Sequence, residues 1–269
     1  MIDAPVNVSV LCVVGNVWGV TLLHDVVYMV CDVSSAIRRF NATTHQRLTD
    51  IDVKGLKDPS DIIACERTSQ LYVADVQKFV WRVSSAGSDI KHWLPKSPDD
   101  TFEPFALSVT STRLLVTSYL TRQLRQFDAD GDELRRVQLP DHMKPRHAVE
   151  SPTGTFIVSL INKQVKQCQV VEVNTGGEVL RQFSGSHLIP LGVTPHVAVD
   201  SHGNIFVADS DNRHILLLNS QLSLRRIIVD EHQLNYEGPW RLCYREDEGQ
   251  LLVASWDSQA VAVFDMLCR

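Results

Sequence analysis

The chain has 269 residues, with 26 Lys and Arg against 32 Asp and Glu, giving a formal net charge of −6. A hydrophobic share of 44% beside 22% charged residues is globular composition and excludes the disordered and fibrous classes. No run of about 18 apolar residues occurs, so no membrane-spanning helix is expected, and the acidic balance argues against a surface built throughout for phosphate contacts.

The opening MIDAPVNVSVLCVVG carries its first charge at Asp3 and lacks the basic stretch that begins a secretory signal. Six cysteines (Cys12, Cys31, Cys65, Cys168, Cys243, Cys268) stand far apart with no CxxC pair, which excludes a zinc ribbon and a thioredoxin-type redox site. Scattered in this way they behave as small hydrophobes, and a reducing, cytoplasmic setting is expected. Two Asn-x-Ser/Thr triplets, at Asn7 and Asn41, are the opposing signal.

In chain order, VNVSVLCVV (6–14) reads as a strand without a local partner. One unit then recurs six times: an alternating strand, an apolar strand ending in Val and a small residue, a third β-rich strand, and in most copies a weaker fourth. The first strands are VWGVTLL (17–23), PSDIIAC (59–65), PFALSV (104–109), PRHAV (145–149), PHVAVD (195–200) and PWRLCY (239–244). Five of them begin with proline, which suits a position where no ladder N–H is needed. The second strands are VYMVCD (27–32), LYVAD (71–75), LLVTS (114–118), FIVSL (156–160), IFVAD (205–209) and LLVAS (251–255). Their last valines, Val30, Val73, Val116, Val158, Val207 and Val253, are spaced by 43, 43, 42, 49 and 46 residues.

Four short strands per period of about 40 to 50 residues is the signature of a propeller blade. The expected fold is therefore all-β: a six-bladed β-propeller of four-stranded antiparallel blades, forming one domain over 1–269. The blades fall near 17–56, 57–102, 103–142, 143–192, 193–236 and 237–264. The last copy stops after its third strand, so the segment 6–14 is expected to complete it and close the ring.

In five of the six units an acceptor follows the Val–small pair: Asp32, Asp75 and Asp209 in three, Ser118 and Ser255 in two. There they suit acceptance of backbone N–H groups in a turn. The small residue itself (Cys31, Ala74, Thr117, Ser159, Ala208, Ala254) is expected where blades crowd, which makes Cys31 a packing residue.

Ligand contacts are expected where equivalent exposed positions differ. The start of the inner strand and the turn after the second strand open on one face of an antiparallel blade. Counting one residue past the proline gives Trp18, Ser60, Phe105, Arg146, His196 and Trp240; two past it gives Gly19, Asp61, Ala106, His147, Val197 and Arg241. The turns add Tyr119, Arg122, Lys163, Asp211, Asn212, Arg213 and Trp256. The expected ligand rim is thus Trp18, Phe105, Tyr119, Arg122, Arg146, His147, His196, Arg213, Trp240, Arg241 and Trp256, since aromatic and Arg side chains dominate hot spots and also stack unpaired bases. Trp18 and Trp240, in blades adjacent across the closure, suit a structural role equally well.

The copy PHVAVDSHGNIFVADSDNRHILLL (195–218) resembles an NHL repeat, and PSDIIACERTSQLYVADVQKFVWRV (59–83) and PWRLCYREDEGQLLVASWDSQAVAVF (239–264) repeat its skeleton. The resemblance implies a six-bladed propeller like the C-terminal module of tripartite-motif ubiquitin ligases: a monomeric, non-enzymatic recognition domain. On this view the rim docks a protein segment, with single-stranded RNA as the alternative ligand and no cofactor. Propeller enzymes are a second alternative. Calcium-dependent lactonases need several channel carboxylates, and here the inner positions offer Asp61 alone. Zinc-dependent amidating lyases resemble this sequence at PHVAV, but only His196 follows a proline directly. His147 is offset by one residue and is expected on the other side of its strand, so no metal site and no catalysis are expected.

Overall fold

The computed structural model describes residues 8–32, 34–76, 79–94, 101–110, 113–185, 190–194, 196–235, 237–255 and 259–266. They form six four-stranded sheets, antiparallel throughout their assigned pairings; five run outward from an inner strand in sequence order, and the sixth takes its outermost strand from the start of the sequence. The inner strands are Val17–Leu23, Pro59–Cys65, Ala106–Thr110, Met143–Glu150, Val197–Val199 and Pro239–Arg245. The only helical segment among the described residues is a 3-10 turn, Glu66–Thr68, and no helix is long and apolar enough to cross a membrane.

The sequence repeat becomes the core. All six repeat valines are 0% exposed, and so are all six small residues that follow them. A second strand flanked on both sides by strands has both faces covered by neighbouring blades, so it reads as a continuous apolar run. Six buried clusters result, one at each junction between adjacent blades. Val73 packs with Val30, Ile37 and Trp81, Val253 with Phe206, Leu217 and Phe264, and Leu252 with Met29 and Leu11 across the closure. Each fully buried Val or Leu contributes about 1.5–3 kcal/mol, which makes these seams the main source of stability.

Small residues set how closely the inner strands approach. At Gly19 an added Cβ would lie 2.7 Å from the backbone nitrogen of Ile62 in the next blade. The fourth strands carry least of the core. In blade 1 the fourth strand shrinks to Ile51–Asp52, while Val179–Phe183 in blade 4 buries only Phe183.

Closure follows the sequence expectation. Val8–Cys12 pairs antiparallel with Ala260–Asp265, matching Leu11 to Val261 and Cys12 to Ala260, and the Val13 N–H donates to the Gln259 carbonyl at 2.7 Å. The last blade is therefore built from two distant segments of the sequence and reaches the same four strands as the others. The aspartates after the Val–small pair accept backbone N–H groups, but from the chain that enters the blade more than from the turn that leaves the second strand, where among the described residues only Asp209 takes one, from Asn212 at 3.4 Å. Asp32 accepts from the Asn16 N–H (2.8 Å), Asp75 from Lys57 (3.2 Å) and Asp209 from Gly192 (3.3 Å). Cys31 is fully buried, and burial pushes its thiol up to about 11, the behaviour of a packing residue.

Candidate active site at the ring centre

The direction of the inner side chains depends on one irregularity. In blade 2 the ladder pairs Pro59 with Asp75 and Asp61 with Ala74, leaving Ser60 as the extra residue of a bulge. The same shift falls between Pro145 and His147 in blade 4 and between Pro239 and Arg241 in blade 6. One extra residue reverses which side chain faces inward. Blade 5 reaches the same position without it: Val197 pairs with Val207, and the Ala208 N–H donates to the His196 carbonyl.

His196 therefore stands opposite the small residue Ala208, as His147 stands opposite Ser159, Asp61 opposite Ala74 and Arg241 opposite Ala254. This corrects the expectation that His147 points to the other side of its strand. The proline was the wrong ruler, because the number of residues between it and the ladder varies with the bulge. The signal that finds the site is the Val–small pair, counted back across each hairpin.

Four blades thus contribute Asp61, His147, His196 and Arg241 to one buried cluster. Asp61, His147 and His196 each bring a metal-ligating atom within 4.8 Å of the others, and the two imidazoles stack with centroids 3.6 Å apart. Asp61 accepts the Ile62 N–H on Oδ1 (3.0 Å) and the Leu107 N–H on Oδ2 (2.9 Å), and its Oδ1 lies 3.4 Å from Arg241 Nε. The rest of the guanidinium spans the ring: Nη2 donates to the Ser60 carbonyl (2.9 Å) and Nη1 to the Trp240 carbonyl (3.2 Å).

His147 donates from Nε2 to the Leu107 carbonyl (3.1 Å), and its Nδ1 faces the Val197 N–H at 3.5 Å, which assigns it as the neutral Nε2–H tautomer. Burial, aided by the nearby Arg241 charge, pushes His147 down to about 3. Burial and the charges of His147 and Arg241 hold His196 well below the usual range. Both rings are thus neutral bases at ordinary pH. Burial pushes the Asp61 carboxyl upward, while Arg241 and the two backbone donors pull it back.

The donor set, two neutral imidazoles and a carboxyl group, is of the type that holds a borderline divalent cation such as zinc. His196 Nδ1 is buried with no hydrogen-bond partner. The Nε2–H of His147 on a backbone carbonyl is the outer bond that usually orients a metal-bound histidine. Asp61 Oδ2 keeps a lone pair beyond the Leu107 bond. Two elements oppose a metal here: the Arg241 charge shares Asp61 with any bound cation, and the Val197 N–H at 3.5 Å already addresses the Nδ1 lone pair that His147 would give a metal.

Trp18, the bulge residue of blade 1, meets Trp240 edge-on at 5.6 Å, and the Arg241 guanidinium sits 5.3 Å over the Trp240 ring. Trp240 is buried, so this pair packs across the closure seam. Phe105 lies 6.1 Å from Tyr119, and Tyr119 carries Arg146 at 5.3 Å and Lys144 at 4.5 Å over its ring. Arg122 is tied to Asp141 at 2.8 Å, Arg213 is exposed in a turn at φ 56°, and Trp256 falls outside the described residues. The expected rim therefore divides into a buried centre (His147, His196, Arg241, Trp240) and a half-exposed patch around Tyr119.

A Ser–His–Glu grouping also occurs at Ser201, His202 and Glu246, where the serine hydroxyl donates to Glu246. Both Ser201 Oγ (3.4 Å) and Glu246 Oε1 (3.3 Å) address His202 Nδ1, so no proton relay runs through the ring.

No protein-family model and no curated protein sequence matches the chain. Solved structures do match by shape. A gluconolactonase from Xanthomonas campestris has TM-score 0.74 and 12% identity, over 98% of this chain and 91% of that one. A streptogramin B lyase has TM-score 0.70 and 10% identity, over 97% and 98%. A catalytically inactive virginiamycin B lyase from Staphylococcus aureus, solved with quinupristin, has TM-score 0.67 and 13% identity, over 93% and 80%. The expectation of a non-enzymatic recognition module is corrected by these two findings together: the fold neighbours are named as enzymes, and the ring centre carries a metal-donor triad where none was expected. At such identities the likeness establishes the fold alone, a six-bladed propeller.

Proposed function

We propose that the chain is a metal-dependent propeller enzyme of the lyase or lactonase type, acting on a lactone or related ester at the ring centre. The observation that carries this reading is the convergence of Asp61, His147 and His196, from three separate blades, on one buried point. The fold neighbours support it, and the NHL-like spacing of 195–218 accounts for the blade frame beneath it.

A divalent cation held by these three side chains would supply Lewis-acid polarisation of a carbonyl oxygen. The protein's own groups prepare that chemistry. The Leu107 carbonyl fixes the tautomer and direction of His147, and the Leu107 and Ile62 N–H groups fix the direction of the Asp61 oxygens. Arg241 places a second positive charge where negative charge would develop on the substrate oxygen; in a water-poor centre such a fixed charge stabilises the transition state strongly. The Trp18–Trp240 pair packs beside Arg241, whose guanidinium lies 5.3 Å from the Trp240 ring.

Elemental analysis and lactone turnover by pH-stat test the reading. Wild-type protein is expected to carry about one divalent ion per chain, with turnover of glucono-δ-lactone or γ-butyrolactone lost on chelation and restored by zinc or calcium. A His147→Gln, His196→Gln protein is expected to lose both metal and turnover. Metal-free wild-type protein with no turnover of any lactone after reconstitution would refute the proposal.

A further inference from the structure

The patch around Tyr119 is built unlike the rest of this acidic surface. Lys144 Nζ lies 4.5 Å and the Arg146 guanidinium 5.3 Å from the same ring centroid, and Lys163, at the turn beyond the second strand of the same blade, is near enough for the Lys144 charge to act on it. Among the described residues none of these three cations has a carboxylate within ion-pair distance, whereas nearby Arg122 is neutralised by Asp141. Arg146 Nε is buried and without a hydrogen-bond partner. Proximity to the Lys144 ammonium pulls the Lys163 amine downward, the mark of two like charges held together.

Such crowding is unfavourable unless an anion relieves it. The backbone explains how it arises. Lys144 and Arg146 alternate on the inner strand Met143–Glu150 and emerge on one side of it, while the turn after Arg113–Ser118 brings the Tyr119 ring between them and the neighbouring blade. Arg146 directly precedes His147 in sequence, and its charge acts on Arg241 in the buried cluster. The patch is thus continuous with the ring centre.

We propose that Lys144, Arg146 and Lys163 form a subsite for a small anion, a carboxylate or phosphate group, with the Tyr119 ring as its floor. This deepens the enzymatic reading and rests on it in one respect: the anion would be the fixed end of the substrate, whose reacting carbonyl reaches the Asp61 cluster. The substrate class is accordingly an anionic lactone or ester, such as a lactone bearing a carboxylate or a phosphorylated sugar lactone. Planar Arg beside two ammonium groups suits bidentate capture of an oxyanion.

The test is calorimetric titration of chelator-treated protein with inorganic phosphate and, separately, with malonate. Saturable binding of either is expected, and the tighter of the two identifies the anionic group. Lys144→Gln with Lys163→Gln should weaken it by about tenfold or more, while Lys91→Gln on the outer strand of blade 2 should leave it unchanged. Both lysines are at least partly exposed, and circular dichroism confirms that the double variant folds. Unchanged affinity in that variant, or no saturable binding of either anion, would overturn the subsite. Octauridylate binding roughly a hundredfold tighter than phosphate, with steep salt dependence, would overturn it in favour of nucleic acid. Repeating the titration on His196→Gln separates the two proposals, since anion binding should persist there when metal and turnover are gone.

Discussion

Replacing Arg241 with Met tests the electrostatics of the ring centre most directly. Arg241 is 1% exposed and satisfies three groups at once: the Asp61 carboxylate at 3.4 Å, the Ser60 carbonyl at 2.9 Å and the Trp240 carbonyl at 3.2 Å. Met refills most of the stem volume, so little of the expected loss comes from a cavity. Removing one partner of a buried ion pair costs about 3–5 kcal/mol. Here Asp61 keeps two backbone N–H donors, which places its share near the lower end, and each stranded carbonyl adds roughly 1 kcal/mol. The expected total is about 4–5 kcal/mol, measured by urea unfolding in chelator. Asp61→Asn in the same chain should recover about half, because the buried charge is then gone. Zinc affinity should move the opposite way and tighten by at least about tenfold, since a cation no longer competes for Asp61. A loss below about 1 kcal/mol, or no recovery with Asp61→Asn, would refute the assignment of Arg241 as the buried countercharge.

Two further outcomes follow from the same geometry. His147 is held neutral, down to about 3, against an ordinary value near 6.5, so below pH 6.5 the unfolded chain takes up a proton that the folded chain refuses. Folding stability in chelator should therefore fall as pH drops from 7 to 5, by about 2 kcal/mol from His147 alone and further from His196. His147→Gln should flatten that slope, and an unchanged slope would show that His147 is not buried neutral. Gly19→Ala should cost about 1–3 kcal/mol, because its Cβ meets a backbone nitrogen of the next blade that cannot move independently. Calorimetry should show a Tm lower by about 2–4 °C per kcal/mol in a chain of this size, and an unchanged Tm would mean that the blades are spaced more loosely than described.

The ring was legible because its determinants are local and repeated. A strand covered on both faces must be apolar throughout, and the step from Val to a small residue marks where blades converge, so Val73–Ala74 and Val207–Ala208 announce themselves without any partner in view. The closing strand was legible by elimination, since 6–14 had β character and no neighbour while the last copy lacked one strand. The centre was legible only as a set of residues. Asp61, His147, His196 and Arg241 all stood among the candidate positions, yet whether a side chain faces inward depends on a one-residue bulge that the proline spacing conceals. The Tyr119 patch was harder to find. Tyr119, Arg146 and Lys163 were visible in the repeat, but Lys144 lies upstream of the repeat's first proline in its blade, and only the fold shows that it shares a ring with Arg146.

Joining two distant segments of the chain in one blade has a kinetic consequence. On the ribosome, Val8–Cys12 emerges about 250 residues ahead of its partner Ala260–Asp265. At roughly 5–20 residues per second the early segment waits on the order of ten to fifty seconds for its mate. Throughout that interval an apolar, hydrogen-bond-hungry ribbon stands open to any passing edge, including the same segment of another nascent copy. Linking the termini and reopening the chain between blades would make the pair neighbours in time as well as in space, and such a rearranged protein should give less aggregate during synthesis while keeping the same final architecture.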